Sequence, residues 1–90
     1  MSKRLKRVLR IIKNPKDVTF EDLECVLLEF GFNKGEGSGD HFTFRKEGEP
    51  LIITVPKKHP VKSIYVKQVI KLLDLEAWYE ENNWLYESKV

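Results

Sequence analysis

A glycine-rich segment that ends in a histidine is the first part of this sequence suited to chemistry. It reads Gly37-Ser38-Gly39-Asp40-His41. Residues without a Cβ let a backbone approach phosphate closely, and the N–H groups of such a loop can point at the anion. A histidine at its exit exchanges a proton near neutral pH, so His41 can act as base or acid when an RNA 2′-OH attacks the adjacent phosphate. Asp40 could orient the imidazole, but it also adds negative charge. A surface histidine beside a flexible hairpin loop is the alternative explanation.

A basic connector after an apolar run provides a second set of polar side chains. Residues 57–62 read KKHPVK and contain Lys57, Lys58 and Lys62. Together with Lys67 on the following helix, these lysines can form one patch that holds phosphates without reading bases. His59 either contacts phosphate or faces water.

Most enzyme signatures are absent. The sequence contains no Walker A loop, no GxSxG, no HExxH and no CxxC. Its two histidines and single cysteine lack the spacing of metal ligands. The GEGSG run at 35–39 does not follow the strand-to-helix order of a dinucleotide site. We therefore expect neither a metal nor a cofactor.

Hydrophobic periodicity predicts the elements that position these residues. Helices are predicted over 3–13, 20–30 and 63–81, and strands over 32–34, 41–45 and 51–55. Asn82-Asn83 should end the last helix, and Trp84, Leu85 and Tyr86 should fold back onto the body. The order α-α-β-β-β-α favours an α+β fold with a three-stranded antiparallel sheet and helices on one face.

Two of these helices carry further signals. In the first, Leu5, Val8, Leu9 and Ile12 form one apolar face, so the helix either packs on the domain or serves as a basic arm on RNA. The second should begin at Thr19 as N-cap, with Asp22 three residues on and a staple from Val18 to Leu23. Gly31 should end it, because a left-handed residue usually follows a helix.

Composition indicates one small globular domain. The chain has 90 residues, of which 41% are hydrophobic and 33% charged. Charge is strongly segregated: the net values over 1–16, 17–33, 34–71 and 72–90 are +7, −5, +4 and −4. A basic surface suits a polyanion, although a mixed solvated surface explains the charge equally well. No apolar stretch approaches the roughly 18 residues that span a bilayer. A single cysteine, Cys25, cannot pair internally, which fits the cytoplasm.

Four stretches resemble the HicA (YcfA-like) mRNA interferase toxins of toxin–antitoxin pairs. Phe20–Leu23 through Phe30-Gly31-Phe32 is similar to the family's first helix, and Gly39–Phe44 to its glycine–serine–histidine motif. The stretch 51–59 resembles its strand ending in valine, proline and basic residues. The stretch 62–69, with Tyr65, resembles the start of its second helix. Order and spacing agree over residues 18–75.

This resemblance implies an α-β-β-β-α fold like the double-stranded RNA-binding domain, formed by 17–75. Residues 1–16 would then be a basic helical extension and 76–90 an acidic one. It implies metal-independent mRNA cleavage with His41 as the catalytic residue, and a HicB-like antitoxin that covers the site. The free protein would be a monomer or dimer. The RNA-binding residues would be Gly39, Asp40, Lys57, Lys58, His59, Lys62, Tyr65 and Lys67.

Two other functions stay open. The chain has Asp40 where the family usually has serine, and a carboxylate there favours a non-catalytic RNA-binding module. Exposed aromatic residues suit protein interfaces, so Trp78, Tyr79, Trp84 and Tyr86 favour a protein-interaction domain. The same side chains could instead cap the core.

Overall fold

The described residues form an α+β fold with one three-stranded antiparallel sheet, as the sequence predicts, but with four helices instead of the three predicted. The computed structural model describes residues 3–37 and 39–87, apart from the side chains of 36 and 84–87. The elements are α1 (Lys3–Lys13), α2 (Phe20–Glu29), β1 (Asn33–Glu36), β2 (His41–Arg45), β3 (Ile52–Pro56), α3 (Ser63–Leu72) and α4 (Leu75–Glu87). Within the described ranges, no helix is long and apolar enough to cross a membrane.

Helix α1 has the predicted bounds and is a packed helix of the domain. It lies against α2 and α4. Its buried line is Leu5, Val8 and Ile11, so the prediction that Leu9 and Ile12 form this face with Leu5 and Val8 was partly wrong. Both of those side chains are only half-buried. Because α1 meets α2 and α4 rather than a single surface, residues on either side of the predicted stripe are also covered.

Helix α2 begins at Phe20, as the sequence predicts, and ends at Glu29, one residue before the predicted end. The Thr19 hydroxyl accepts the Asp22 N–H at 3.1 Å, which satisfies one of the free donors of the first turn. At the other end Gly31 has φ +93°. The Gly31 and Phe32 N–H groups donate to Leu28 and Leu27 carbonyls, the paired bonds of a Schellman motif.

The sheet has the order β1-β2-β3. Gly35 lies opposite Thr43, and Thr43 lies opposite Thr54. Phe44 is fully buried against the helices and Phe42 is partly buried. Side chains alternate along a strand, so His41, Thr43 and Arg45 lie on the other face of β2.

The predicted single helix over 63–81 was wrong, because the chain forms two helices there. Asp74 separates them with φ +50°, a left-handed conformation that aspartate tolerates better than most residues. The turn lets Leu75 enter the core and sends α4 back against α1. The predicted end at Asn82-Asn83 was also wrong, because α4 continues to Glu87. The backbone of 84–86 therefore extends this helix; the side chains of these residues are outside the described part.

Candidate nucleic-acid interface

His41 is the first residue of β2 and its side chain is exposed. Across the sheet it lies opposite Pro56, the last residue of β3. Among the described residues the imidazole has no hydrogen bond or ion pair, so the suggested contact from Asp40 is not formed there. Asp40 is itself exposed. The imidazole is therefore open to a ligand from solvent.

Gly37 holds the loop close to His41. A Cβ built on Gly37 would lie 2.4 Å from the His41 carbonyl oxygen, a distance that real Cβ atoms essentially never show. The two backbones can approach only because position 37 has no side chain. Gly39 has φ +63° and open space around it, so a glycine is favoured there by the backbone conformation and not by close packing. Ser38 lies outside the described residues.

The basic connector meets this loop directly. The Lys57 N–H donates to the Asp40 carbonyl at 2.7 Å, so the strand pairing continues one step beyond His41 and Pro56. Lys57 and Lys58 are both exposed. The predicted catalytic histidine and the predicted phosphate-binding lysines 57 and 58 therefore lie at the same end of the sheet, although they are 16 residues apart in the sequence.

The rest of the connector lies against the start of α2. The Val61 N–H donates to the Val18 carbonyl at 2.8 Å, and the Val61 side chain is buried. His59 Nε2 is 3.7 Å from a Glu21 carboxylate oxygen, and both side chains are more than half exposed. Glu21 therefore competes with any phosphate for His59.

The predicted binding residues of α3 are more dispersed. Lys62 is the N-cap residue and is exposed, whereas Tyr65 is half-buried and packs on the core. Lys67 lines a shallow depression with Ile12 and Pro15, where α3 meets α1. Lys62 thus continues the connector, while Lys67 lies farther along the helical side.

Three arginines of α1 are paired with α2. Arg7 donates to Glu29 at 2.9 Å and Arg10 lies 2.9 Å from Asp22. Arg4 lies 3.5 Å from the second Glu29 oxygen. Three of the seven basic side chains in residues 1–16 are therefore paired within the protein, which sequence reasoning missed.

An aromatic cluster supports the strand that carries His41. The Phe42 ring lies 5.4 Å from Phe20 and the Phe20 ring 6.5 Å from Phe44. Lys34 Nζ lies 4.5 Å from the centre of the Phe42 ring and 2.5 Å from a Glu24 oxygen. Lys34 is thus engaged by groups of the protein itself, and the helix-facing side of β2 packs on aromatic rings.

The remaining predictions concern metal, thiol and aromatic sites. No group of three or more potential ligand side chains is assembled in the part of the chain that the structure describes. Cys25 is a partly buried free thiol on α2. Trp78 and Tyr79 are half-buried against the core, and the Trp78 ring lies edge-on to Phe30 at 5.2 Å. These two aromatics cap the core, whereas the side chains of Trp84 and Tyr86 are outside the described part.

No protein-family model, curated protein or solved structure significantly matches this chain.

Proposed function

We propose that this chain is a HicA-like RNA-binding toxin that cleaves mRNA with His41 and without a metal ion. One observation carries the proposal: the Lys57 N–H bond to the Asp40 carbonyl joins an exposed histidine to a basic connector. A phosphate held at Lys57 and Lys58 would lie at the end of the sheet where His41 begins β2. Lys62 extends this cationic end, and Lys67 and Tyr65 would contact RNA farther along α3.

The chemistry needs only the RNA and one imidazole. His41 takes the proton of a ribose 2′-OH, and the oxygen attacks the adjacent phosphorus. The bond from phosphorus to the 5′ oxygen breaks, and that oxygen takes a proton from the imidazolium or from water. The products are a 2′,3′-cyclic phosphate and a 5′-hydroxyl. Loop N–H groups near Gly39 would approach the charged phosphate oxygens.

The resemblance supplies the wider setting of the proposal. The succession from α2 through the three strands to α3 is compatible with a fold like the double-stranded RNA-binding domain. In that setting the partner is a HicB-like antitoxin that covers His41, and the protein acts in the cytoplasm as one half of a toxin–antitoxin pair. The free protein is then a monomer or dimer.

The test compares wild type with His41→Ala on single-stranded RNA in EDTA. We expect wild type to leave 2′,3′-cyclic phosphate ends and His41→Ala to lose at least about 100-fold in rate, the usual contribution of a general base. His41 is exposed and has no partner among the described residues, so both proteins should have the same urea midpoint. Equal rates for the two proteins, or no cleavage by wild type, would overturn the catalytic proposal.

A non-catalytic RNA-binding module is the second candidate, and the exposed Asp40 carboxylate favours it. A negative charge next to His41 opposes the approach of a phosphate. The Asp40→Ser variant separates the two functions. If wild type binds RNA without cleaving it and Asp40→Ser cleaves, the fold is suited to catalysis and Asp40 has abolished it. If neither cleaves but both bind with steep salt dependence, the binding module is correct.

A further inference from the structure

The sheet has an open side that the proposed site does not yet use. We call it the outer face: the side opposite the helices, with His41, Thr43 and Arg45 of β2 and their cross-strand neighbours. Residues directly opposite each other in an antiparallel pair share a face. Arg45 thus lies between Asn33 and Ile52, both exposed. His41 is at one end of this face and Arg45 at the other.

The middle of the outer face carries only small, uncharged side chains. Gly35, Thr43 and Thr54 form its central row. A Cβ on Gly35 would lie 3.1 Å from the Thr43 hydroxyl. This distance is tight, but the hydroxyl can rotate away. Gly35 in β1 and Gly37 just after it thus leave two positions without side chains beside β2. Glycine inside a strand often marks the close approach of a ligand or another backbone.

The charge of the outer face suits a polyanion. None of the outward positions of the three strands carries a carboxylate. Arg45 is exposed and has no ion pair with any residue that the structure describes. Its planar guanidinium can bind a phosphate or stack on a base. Ile52 beside it is 49% exposed and offers an apolar contact.

The part of the helical side that α1 and α2 form is less favourable for RNA than the outer face. There Glu21 is 60% exposed and lies beside His59. Arg7 and Arg10 on that side are already paired with carboxylates of α2. An RNA strand that leaves His41 toward α2 meets Glu21, whereas one that leaves across the sheet meets Thr43 and Arg45.

Size favours a single strand on the outer face. From His41 to Arg45 the strand extends about 14 Å, and three strands span about 10 Å. This flat area fits a few nucleotides with bases exposed, which is how single-stranded RNA is recognised. A duplex offers a convex backbone surface with its bases turned inward, so it would touch a flat sheet at few points.

We propose that single-stranded RNA lies across the outer face, along Gly35 and Thr43, with Arg45 as the anchor opposite His41. This rests on the proposed function, because His41 is where the RNA would be cleaved. It names the surface that holds the single-stranded RNA, and it places part of the binding energy on a face that the lysine connector does not reach.

The test measures binding of a short single-stranded RNA with 2′-O-methyl riboses, which His41 cannot cleave, over a range of salt concentrations. Arg45→Gln should weaken binding roughly tenfold or more, as expected for a lost charge-assisted contact. The slope of log affinity against log salt should fall by about 0.7, the value for one phosphate contact on a single strand. Lys6→Gln makes the same charge change on an exposed site of α1 and should alter neither quantity.

The outcomes separate this inference from the proposed function. One outcome is that wild type binds RNA, that Lys57→Gln weakens this binding and that Arg45→Gln does not. RNA then lies on the helical side, so the inference is wrong while the proposed function stands. Tighter binding of a duplex of the same sequence would also overturn it. If wild type binds no RNA, both fail. Preference for the single strand together with the smaller salt slope of Arg45→Gln would support the inference.

Discussion

At the scale of single residues, His41 could be singled out from the sequence but its surroundings could not. Residue types and order predicted a loop, a histidine at its exit and a strand. They did not distinguish the roles of the two loop glycines, Gly37 and Gly39, since only the backbone reveals which of them faces another chain segment. Gly37 allows contact with the His41 backbone, whereas Gly39 provides a left-handed turn. The contact between Lys57 and Asp40 also needed the register of β2 and β3.

The close approach at Gly37 gives a prediction at this scale. Gly37→Ala should lower the free energy of unfolding by about 1–3 kcal/mol, because a Cβ 2.4 Å from the His41 carbonyl oxygen forces the backbone to move. Gly35→Ala is the matched control, since its Cβ meets a hydroxyl that can rotate. We expect it to change stability by no more than about 0.5 kcal/mol. Urea denaturation measures both, and equal losses would contradict the assigned role of Gly37.

At the scale of elements, the sequence predicted those features that depend on interactions between neighbouring residues. Thr19 and Gly31 fix the ends of α2 through hydrogen bonds within a few residues, so the sequence was sufficient. The division between α3 and α4 was missed, because an apolar stripe continues across it. It depends on Leu75 reaching the core and on α4 packing against α1, contacts made far along the chain. Asp74 was the available signal, as a residue that tolerates the left-handed region.

The left-handed conformation of Asp74 can be tested by substitution. Asp74→Val should lower the free energy of unfolding by about 1–2 kcal/mol, because a Cβ, and a branched one above all, is unfavourable at φ +50°. Asp74→Gly should be neutral or stabilising by a few tenths of a kcal/mol, because glycine adopts this conformation freely. Thermal or urea unfolding of the two variants gives the comparison. A more stable valine variant would mean that the helices do not divide at this residue.

At the scale of the whole molecule, the basic stretches of the sequence differ in whether the fold pairs them with carboxylates. The basic N-terminal stretch and the acidic stretch after it form adjacent helices, and Arg4, Arg7 and Arg10 pair across them. Their spacing of three places them on one side of α1. The lysines of the connector have no such partners among the described residues. Sequence alone could not separate these groups, because the partners are 12 to 25 residues apart.

Because Arg10 is paired and Lys58 is not, two substitutions that remove the same charge should affect RNA binding differently. Lys58→Gln should reduce the salt slope of RNA binding by about 0.7, because an exposed lysine of the connector loses its phosphate contact. Arg10→Gln removes the same charge, but its side chain lies 2.9 Å from Asp22, so the slope should stay at the wild-type value. Its cost is a surface ion pair, about 0–1 kcal/mol of stability. Salt titrations followed by fluorescence anisotropy measure both slopes. A larger change for Arg10→Gln than for Lys58→Gln would show that α1, and not the connector, faces the RNA.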